Sequence, residues 1–99
     1  MAIEQLDTDD QALVLRTQSK NFGKIAEALG LARPNDANEA FNRALRRRPA
    51  DEQVTIRADE NKRLDHLAKS VGADQTRTKE EVDERLRSID RLRRRLMAD

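Results

Sequence analysis

A chain of 99 residues fits one domain with a modest core, and its 36% hydrophobic and 39% charged residues require the apolar positions to gather on particular faces. It has two aromatic residues and no cysteine, which excludes a disulfide, a thiol nucleophile and a thiolate metal site and leaves little material for a β-sandwich core. The net charge of +1 conceals arginine clusters within residues 46–48 and 91–95, while the many Ala, Leu, Arg, Glu and Lys residues predict an all-α protein.

Two short helices are predicted at the start of the chain. The first runs from about Asp9 to Lys20, with Thr8 and Gln11 as a capping box at its beginning. The second covers residues 22–29, because four apolar residues recur there at the spacing of one helix face. These are Phe22, Ile25, Ala26 and Leu29. Gly30 follows at the position where a left-handed residue ends a helix.

A third helix is predicted over residues 34–48. Pro34 suits its first turn because the missing N–H has no partner there, and Pro49 ends it because the residue before a proline is pushed away from helical geometry. Its apolar residues form one narrow stripe. They are Ala37, Ala40, Phe41, Ala44 and Leu45.

Two longer helices are predicted at 51–71 and 79–97, separated by a turn and opened in the second case by a capping box of Thr78 and Glu81. The short connection predicts an antiparallel hairpin. We expect three apolar residues of one helix to meet three of the other, namely Leu64, Leu67 and Val71 against Val82, Leu86 and Ile89. The chain is then a three-helix segment at 1–49 and a hairpin at 50–99, joined in one compact domain.

The run Ile25-Ala26-Glu27-Ala28-Leu29-Gly30-Leu31 fits the pattern I-A-x-x-L-G-[LV]. It resembles the first helix and turn of bacterial helix-turn-helix DNA-binding proteins, and the resemblance covers residues 22–48. It implies that Ala26 lets the second helix approach closely, that Gly30 makes the turn, and that helix 34–48 enters the major groove. Ala37 falls one residue later than the family's usual apolar position, which predicts a longer turn.

The resemblance implies double-stranded DNA as the partner and divides the polar residues near this helix into two groups. Asn pairs with adenine and Arg with guanine through two hydrogen bonds each, so one group is predicted to contact bases. It consists of Arg33, Asn35, Asn38, Asn42 and Arg46. The other group is predicted to contact phosphates without reading sequence. It consists of Lys20, Lys24, Arg43, Arg47 and Arg48.

The residues offer no basis for catalysis, for a cofactor or for a metal site. His66 is the one histidine and has no second histidine or cysteine to join it, so the sequence predicts a non-enzymatic protein without catalytic residues. No apolar run approaches the ~20 residues that span a bilayer, and the acidic N-terminal segment lacks a signal core. These features predict a cytoplasmic protein with no membrane partner and no evident small-molecule effector.

A second interpretation remains open, in which the chain is a helical adaptor that binds another protein through the leucine stripe of helix 79–97. A homodimer through residues 51–97 is also open, because the ends of the hairpin far from its turn need partners. Four arginines on the face opposite that stripe either extend a DNA footprint or only solubilise the helix. They are Arg87, Arg91, Arg94 and Arg95.

Overall fold

The computed structural model describes residues 2–98 and shows an all-α fold, with no strand among these residues. A short 3-10 turn at Ile3–Gln5 precedes five α-helices. They are α1 (Thr8–Thr17), α2 (Phe22–Leu29), α3 (Pro34–Arg46), α4 (Ala50–Gly72) and α5 (Lys79–Met97). The predicted fold class is confirmed, and each predicted helix is present within a few residues of its expected bounds.

The chain divides into two compact units, one that ends at Gln53 and one that begins at Val54. The first unit contains α1, α2 and α3, and the second contains most of α4 and all of α5. The division therefore lies in the first turn of α4, a few residues beyond the limit expected at residue 49.

In the first unit α1, α2 and α3 all pack against one another around a core of aliphatic side chains and two phenylalanine rings. The rings of Phe22 and Phe41 join α2 to α3, with centroids 5.9 Å apart and planes tilted by 47°. Arg16 of α1 places its guanidinium 4.2 Å from the centroid of the Phe22 ring, a cation–π contact. The alanines of α3 are fully buried and let the neighbouring helices approach closely.

The ends of α1 and α3 differ from their predicted positions for local reasons. Asp7, rather than Thr8, caps α1, since its carboxylate accepts the backbone N–H of Asp10 at 2.8 Å. The helix ends at Thr17 rather than Lys20, because Ser19 adopts a left-handed conformation with φ of 66°. Helix α3 ends at Arg46, so the effect of the following proline extends beyond the single residue before it.

The second unit is an antiparallel pair of helices, as predicted. Arg57 near the start of α4 donates from Nε to the carbonyl of Leu96 at 2.9 Å, and Arg93 donates to Asn61 at 2.8 Å and to Asp65 at 2.9 Å. The Thr78 hydroxyl accepts the Glu81 N–H at 3.1 Å and caps α5.

Most of the apolar residues expected between α4 and α5 are buried or half-buried. Leu64, Val71 and Ile89 are buried, and Val82 and Leu86 are half-buried. The expectation that Leu67 belongs to this core is wrong, since Leu67 is 45% exposed. It follows Leu64 by three residues, which places the two roughly 60° apart around the helix at about 100° per residue. That rotation is enough to leave Leu67 at the margin of the buried face.

Candidate nucleic-acid interface

The turn between α2 and α3 is built around Gly30, which has φ of 68° and ψ of 28°. Its N–H donates to the Glu27 carbonyl at 3.4 Å, and the N–H of Leu31 donates to the Ala26 carbonyl at 2.8 Å. This pair of hydrogen bonds forms a Schellman motif, which ends a helix with a left-handed residue. The turn predicted from the sequence is therefore present, and residues 30–33 lead directly into α3 at Pro34.

The first turn of α3 is fixed by Asp36. The backbone N–H of Arg33 donates to Oδ2 of Asp36 at 3.1 Å, and the Arg33 guanidinium donates to Oδ1 at 3.2 Å. Ala37, and not Asp36, is the first residue of α3 that is fully buried. This agrees with the longer turn that the apolar spacing predicted, and it leaves Arg33 at the solvent-exposed entrance of the helix.

Two of the predicted base-contacting residues do not face solvent. Asn38 and Asn42 are each only 3% exposed, and the Asn42 amide donates to the Asn38 carbonyl at 3.0 Å and to Oδ1 of Asn38 at 3.2 Å. Among the described residues Oδ1 of Asn42 has no hydrogen-bond partner. The expectation that these two side chains are exposed is wrong, and in this conformation neither can reach the edge of a base.

The reason lies in the width of the buried surface of α3. The apolar residues alone cover an arc of roughly 140° at about 100° per residue, whereas the buried surface covers roughly 200°. Asn38 and Asn42 occupy the additional arc at one margin of the apolar stripe. Because asparagine is polar, the sequence predicted that both residues face solvent. Only the packing of the helices shows that they are buried.

The remaining base-contacting candidates lie on or beside the outer face of α3. Arg33 has 71% of its side chain exposed, Arg46 is exposed, and Asn35 is half-buried with its amide donating to Oε1 of Glu39 at 3.2 Å. Asn35, Glu39 and Arg46 fall within roughly 40° of one another around the helix. Sequence reasoning omitted Glu39, although its position four residues after Asn35 places it on the same face.

Arg43 and Arg47, two of the predicted phosphate contacts, are held by carboxylates at the start of α1. Nε and Nη2 of Arg43 donate to the two oxygens of Asp9 at 2.9 and 3.0 Å. Arg47 lies 3.4 Å from Asp9, 3.5 Å from Asp10 and 3.6 Å from Asp7. We call Asp7, Asp9 and Asp10 the acidic cluster.

The ion pair changes the acidity of both partners. The hydrogen bonds from Arg43 hold the pKa of Asp9 below its ordinary value, and the charge of Arg47 acts in the same direction. In return, the hydrogen bonds to Asp9 raise the pKa of Arg43. Both groups therefore stay charged at neutral pH, and the pair persists there.

The other three predicted phosphate contacts are exposed lysine and arginine side chains of the same unit. Lys24 pairs with Glu27 at 3.8 Å, and Arg48 pairs with Glu52 at 2.6 Å. Lys20 is exposed just beyond α1, and its carbonyl accepts a hydrogen bond from Arg16 at 2.9 Å. The fold thus gathers basic groups around α2 and α3, but carboxylates neutralise most of them locally.

Comparisons with family models, with curated proteins and with solved structures gave no match for this chain. The resemblance to helix-turn-helix proteins stays a prediction from the sequence of residues 22–48.

Other kinds of site have little structural support in the part of the chain described. His66 is exposed on α4, and no group of three or more His, Cys, Asp or Glu side chains within residues 2–98 could hold a metal ion. Over the same span no helix has both the length and the apolar character needed to cross a bilayer. A groove of about 380 Å³ lies along α2 and the following turn. Its lining includes Asn21, Gly23, Lys24, Leu31 and Pro34.

Proposed function

We propose that this chain is a non-enzymatic DNA-binding protein, either a transcriptional regulator or a nucleoid-associated protein, that places α3 in the major groove of duplex DNA. The observation that carries this proposal is the three-helix unit itself. Helix α2 ends in a left-handed glycine, a four-residue turn follows, and α3 packs on both α1 and α2 while its opposite face stays exposed. A helix presented in this way is what the major groove accepts.

The chemistry of the exposed face of α3 is compatible with reading bases. Arg46 and Arg33 can each donate two hydrogen bonds to guanine, and Asn35 can both donate to and accept from adenine. Glu39 adds an acceptor for the amino group of cytosine. These four residues replace the predicted set, from which the buried Asn38 and Asn42 are removed.

Affinity in this proposal comes from Lys20, Lys24, Arg43, Arg47 and Arg48. Four of these residues already form ion pairs, so each must exchange a carboxylate for a phosphate when DNA binds. Such exchange is energetically feasible, because the four basic side chains are exposed and an ion pair near the surface contributes only about 0.2–1 kcal/mol. We therefore expect moderate non-specific affinity with a clear dependence on salt.

Titration of a fluorescent duplex of mixed sequence tests the proposal, with anisotropy recorded at low and at physiological salt. On a duplex selected from that mixture for tight binding, Arg33→Ala is expected to weaken binding by about tenfold, because a good bidentate contact contributes about 1–3 kcal/mol of discrimination between bases. Arg77→Ala is the matched control. Both arginines are exposed and pair with a carboxylate three residues away, at 3.2 Å for Arg33 and 3.0 Å for Arg77. No binding by the unaltered protein at low salt would reject the proposal, and equal losses in the two variants would reject the role of Arg33.

The alternative function, a protein adaptor that uses the leucine stripe of α5, has weaker support. Ile89 and Leu96 are only 4% and 2% exposed, and Val82, Leu86 and Leu92 are half-buried. A partner helix could bind this stripe only if those side chains were first uncovered. Within residues 2–98 the large apolar side chains that are exposed are Val54, Leu67 and Met97, and they do not form the predicted stripe.

A further inference from the structure

The contact between Asp9 and Arg43 has the form in which arginine also binds phosphate. Two nitrogens of the guanidinium donate in parallel to two oxygens of one anion, at 2.9 and 3.0 Å. The planar guanidinium matches carboxylate and phosphate oxygens with the same two-pronged geometry. A DNA phosphate can therefore take the place of Asp9 without any change in the kind of contact that Arg43 makes.

Arg47 is surrounded by negative charge rather than bound to one partner. Its guanidinium nitrogens lie between 3.4 and 3.6 Å from oxygens of all three members of the acidic cluster. None of these distances is that of a short charge-assisted hydrogen bond, which is about 2.7–2.9 Å. Arg47 is thus attracted to the cluster and is held there less tightly than Arg43.

The carboxylates of the acidic cluster belong to the start of α1 and help to stabilise it. Arg43 and Arg47 can move away from the cluster without disrupting the N-terminus of α1. Asp7 caps α1 through the N–H of Asp10, and Asp9 and Asp10 lie in its first turn, where the helix dipole favours negative charge. Asp9 is 16% exposed, while Arg43 and Arg47 are 54% and 51% exposed. The arginine side is therefore the one that solvent and a phosphate can reach.

We infer that the acidic cluster is an internal competitor of DNA, which holds Arg43 and Arg47 of α3 until backbone phosphates displace it. The inference rests on the proposed function, and it goes further by giving the start of α1 a role in setting affinity. In the free protein the cluster neutralises two of the predicted phosphate contacts. In the complex the same two arginines contact phosphate. Their contribution to the free energy of DNA binding is therefore the free energy of the phosphate contacts minus that of the ion pairs with the acidic cluster.

Asp9→Asn tests the inference, because it removes the carboxylate that pairs with Arg43 and one of the three that attract Arg47, and it keeps the size of the side chain. We expect duplex affinity at low salt to rise by about threefold, as the loss of the competing ion pair with Arg43 allows. The slope of log affinity against log salt concentration should stay unchanged or steepen by at most about 2. Each phosphate contact contributes about 0.9 to this slope, and two arginines are involved.

Glu84→Gln is the matched control on α5. Glu84 also contacts two arginines, Arg87 at 3.0 Å and Arg91 at 3.4 Å, so its replacement makes the same change in net charge and takes a carboxylate from the same number of arginines. A gain confined to Asp9→Asn supports the inference. An equal gain in Glu84→Gln overturns it, because the effect is then not specific to the arginines of α3.

The remaining outcomes separate this inference from the proposed function. If the unaltered protein binds DNA and Asp9→Asn binds with the same affinity, the inference fails and the proposed function stands. If neither protein binds, both fail. If Asp9→Asn does not fold, as judged by circular dichroism, Asp10→Asn replaces it. That variant removes one carboxylate from the surroundings of Arg47, and it keeps the backbone N–H of residue 10 that donates to Asp7. An unchanged DNA affinity in Asp10→Asn overturns the inference.

Discussion

Asp9 joins α1 to α3 through both of its carboxylate oxygens, which accept hydrogen bonds from Arg43. The two residues are far apart in the sequence, so this contact forms only when the three helices of the first unit have packed. Because the side chain of Asp9 is largely buried and that of Arg43 is half exposed, the pair combines a modest stabilising effect with access for a competing anion.

The stability that this pair provides should depend on pH in one direction. The folded state lowers the pKa of Asp9, so the contribution is complete above the ordinary carboxyl pKa of about 3.9 and is lost as the pH falls through the lower folded value. We expect Asp9→Asn to reduce the free energy of unfolding by about 1 kcal/mol at pH 7. The two proteins should converge in urea unfolding once the pH is below the lowered pKa of Asp9 in the folded state. A difference that persists unchanged into acid would contradict this assignment.

The connection between α2 and α3 shows how one residue decides an element boundary. Gly30 occupies the left-handed region, and a Cβ placed there would meet nothing within 4 Å. The need for glycine is therefore conformational and not steric. This turn also fixes where α3 begins, and the starting position decides which residues of α3 face the solvent.

Gly30→Ala should accordingly destabilise the protein by about 1–2 kcal/mol through backbone strain alone. Gly72→Ala provides the matched control, because Gly72 lies in α4, has no positive φ and also has open space around an added Cβ. There we expect a gain of at most about 0.5 kcal/mol, since alanine favours the helix over glycine but Gly72 is the last residue of α4. Thermal unfolding followed by circular dichroism measures both, and changes of the same sign would argue against the strain.

For the molecule as a whole, the leading question is whether the apolar stripe of α5 belongs to the folded core or to an interface. Ile89 is 4% exposed, and Leu96 is 2% exposed. These values place the centre and the end of the stripe inside the fold. A homodimer through residues 51–97 remains a prediction, and the apolar side chains that are exposed there are few.

Ile89→Asp distinguishes the two interpretations. If Ile89 is core, the variant should lose about 3–5 kcal/mol of stability, because a buried apolar group is replaced by an unpaired charge. If it belongs to a dimer interface, helicity should persist while the mass measured by light scattering falls. Val54→Asp is the matched control, since Val54 is also apolar but 70% exposed, and we expect a change within about 0.5 kcal/mol.

The sequence by itself determined the number and type of helices and most of their ends. Apolar spacing and capping residues together located all five, and Gly30, Pro34 and Thr78 marked boundaries correctly, because these signals act between residues a few positions apart. Only the tertiary structure decided which polar side chains are accessible. Asn38 and Asn42 are buried by the width of the packed surface of α3, and Arg43 and Arg47 are occupied by carboxylates that precede them by more than thirty residues. Burial and long-range ion pairs depend on how helices meet, and no local pattern records that.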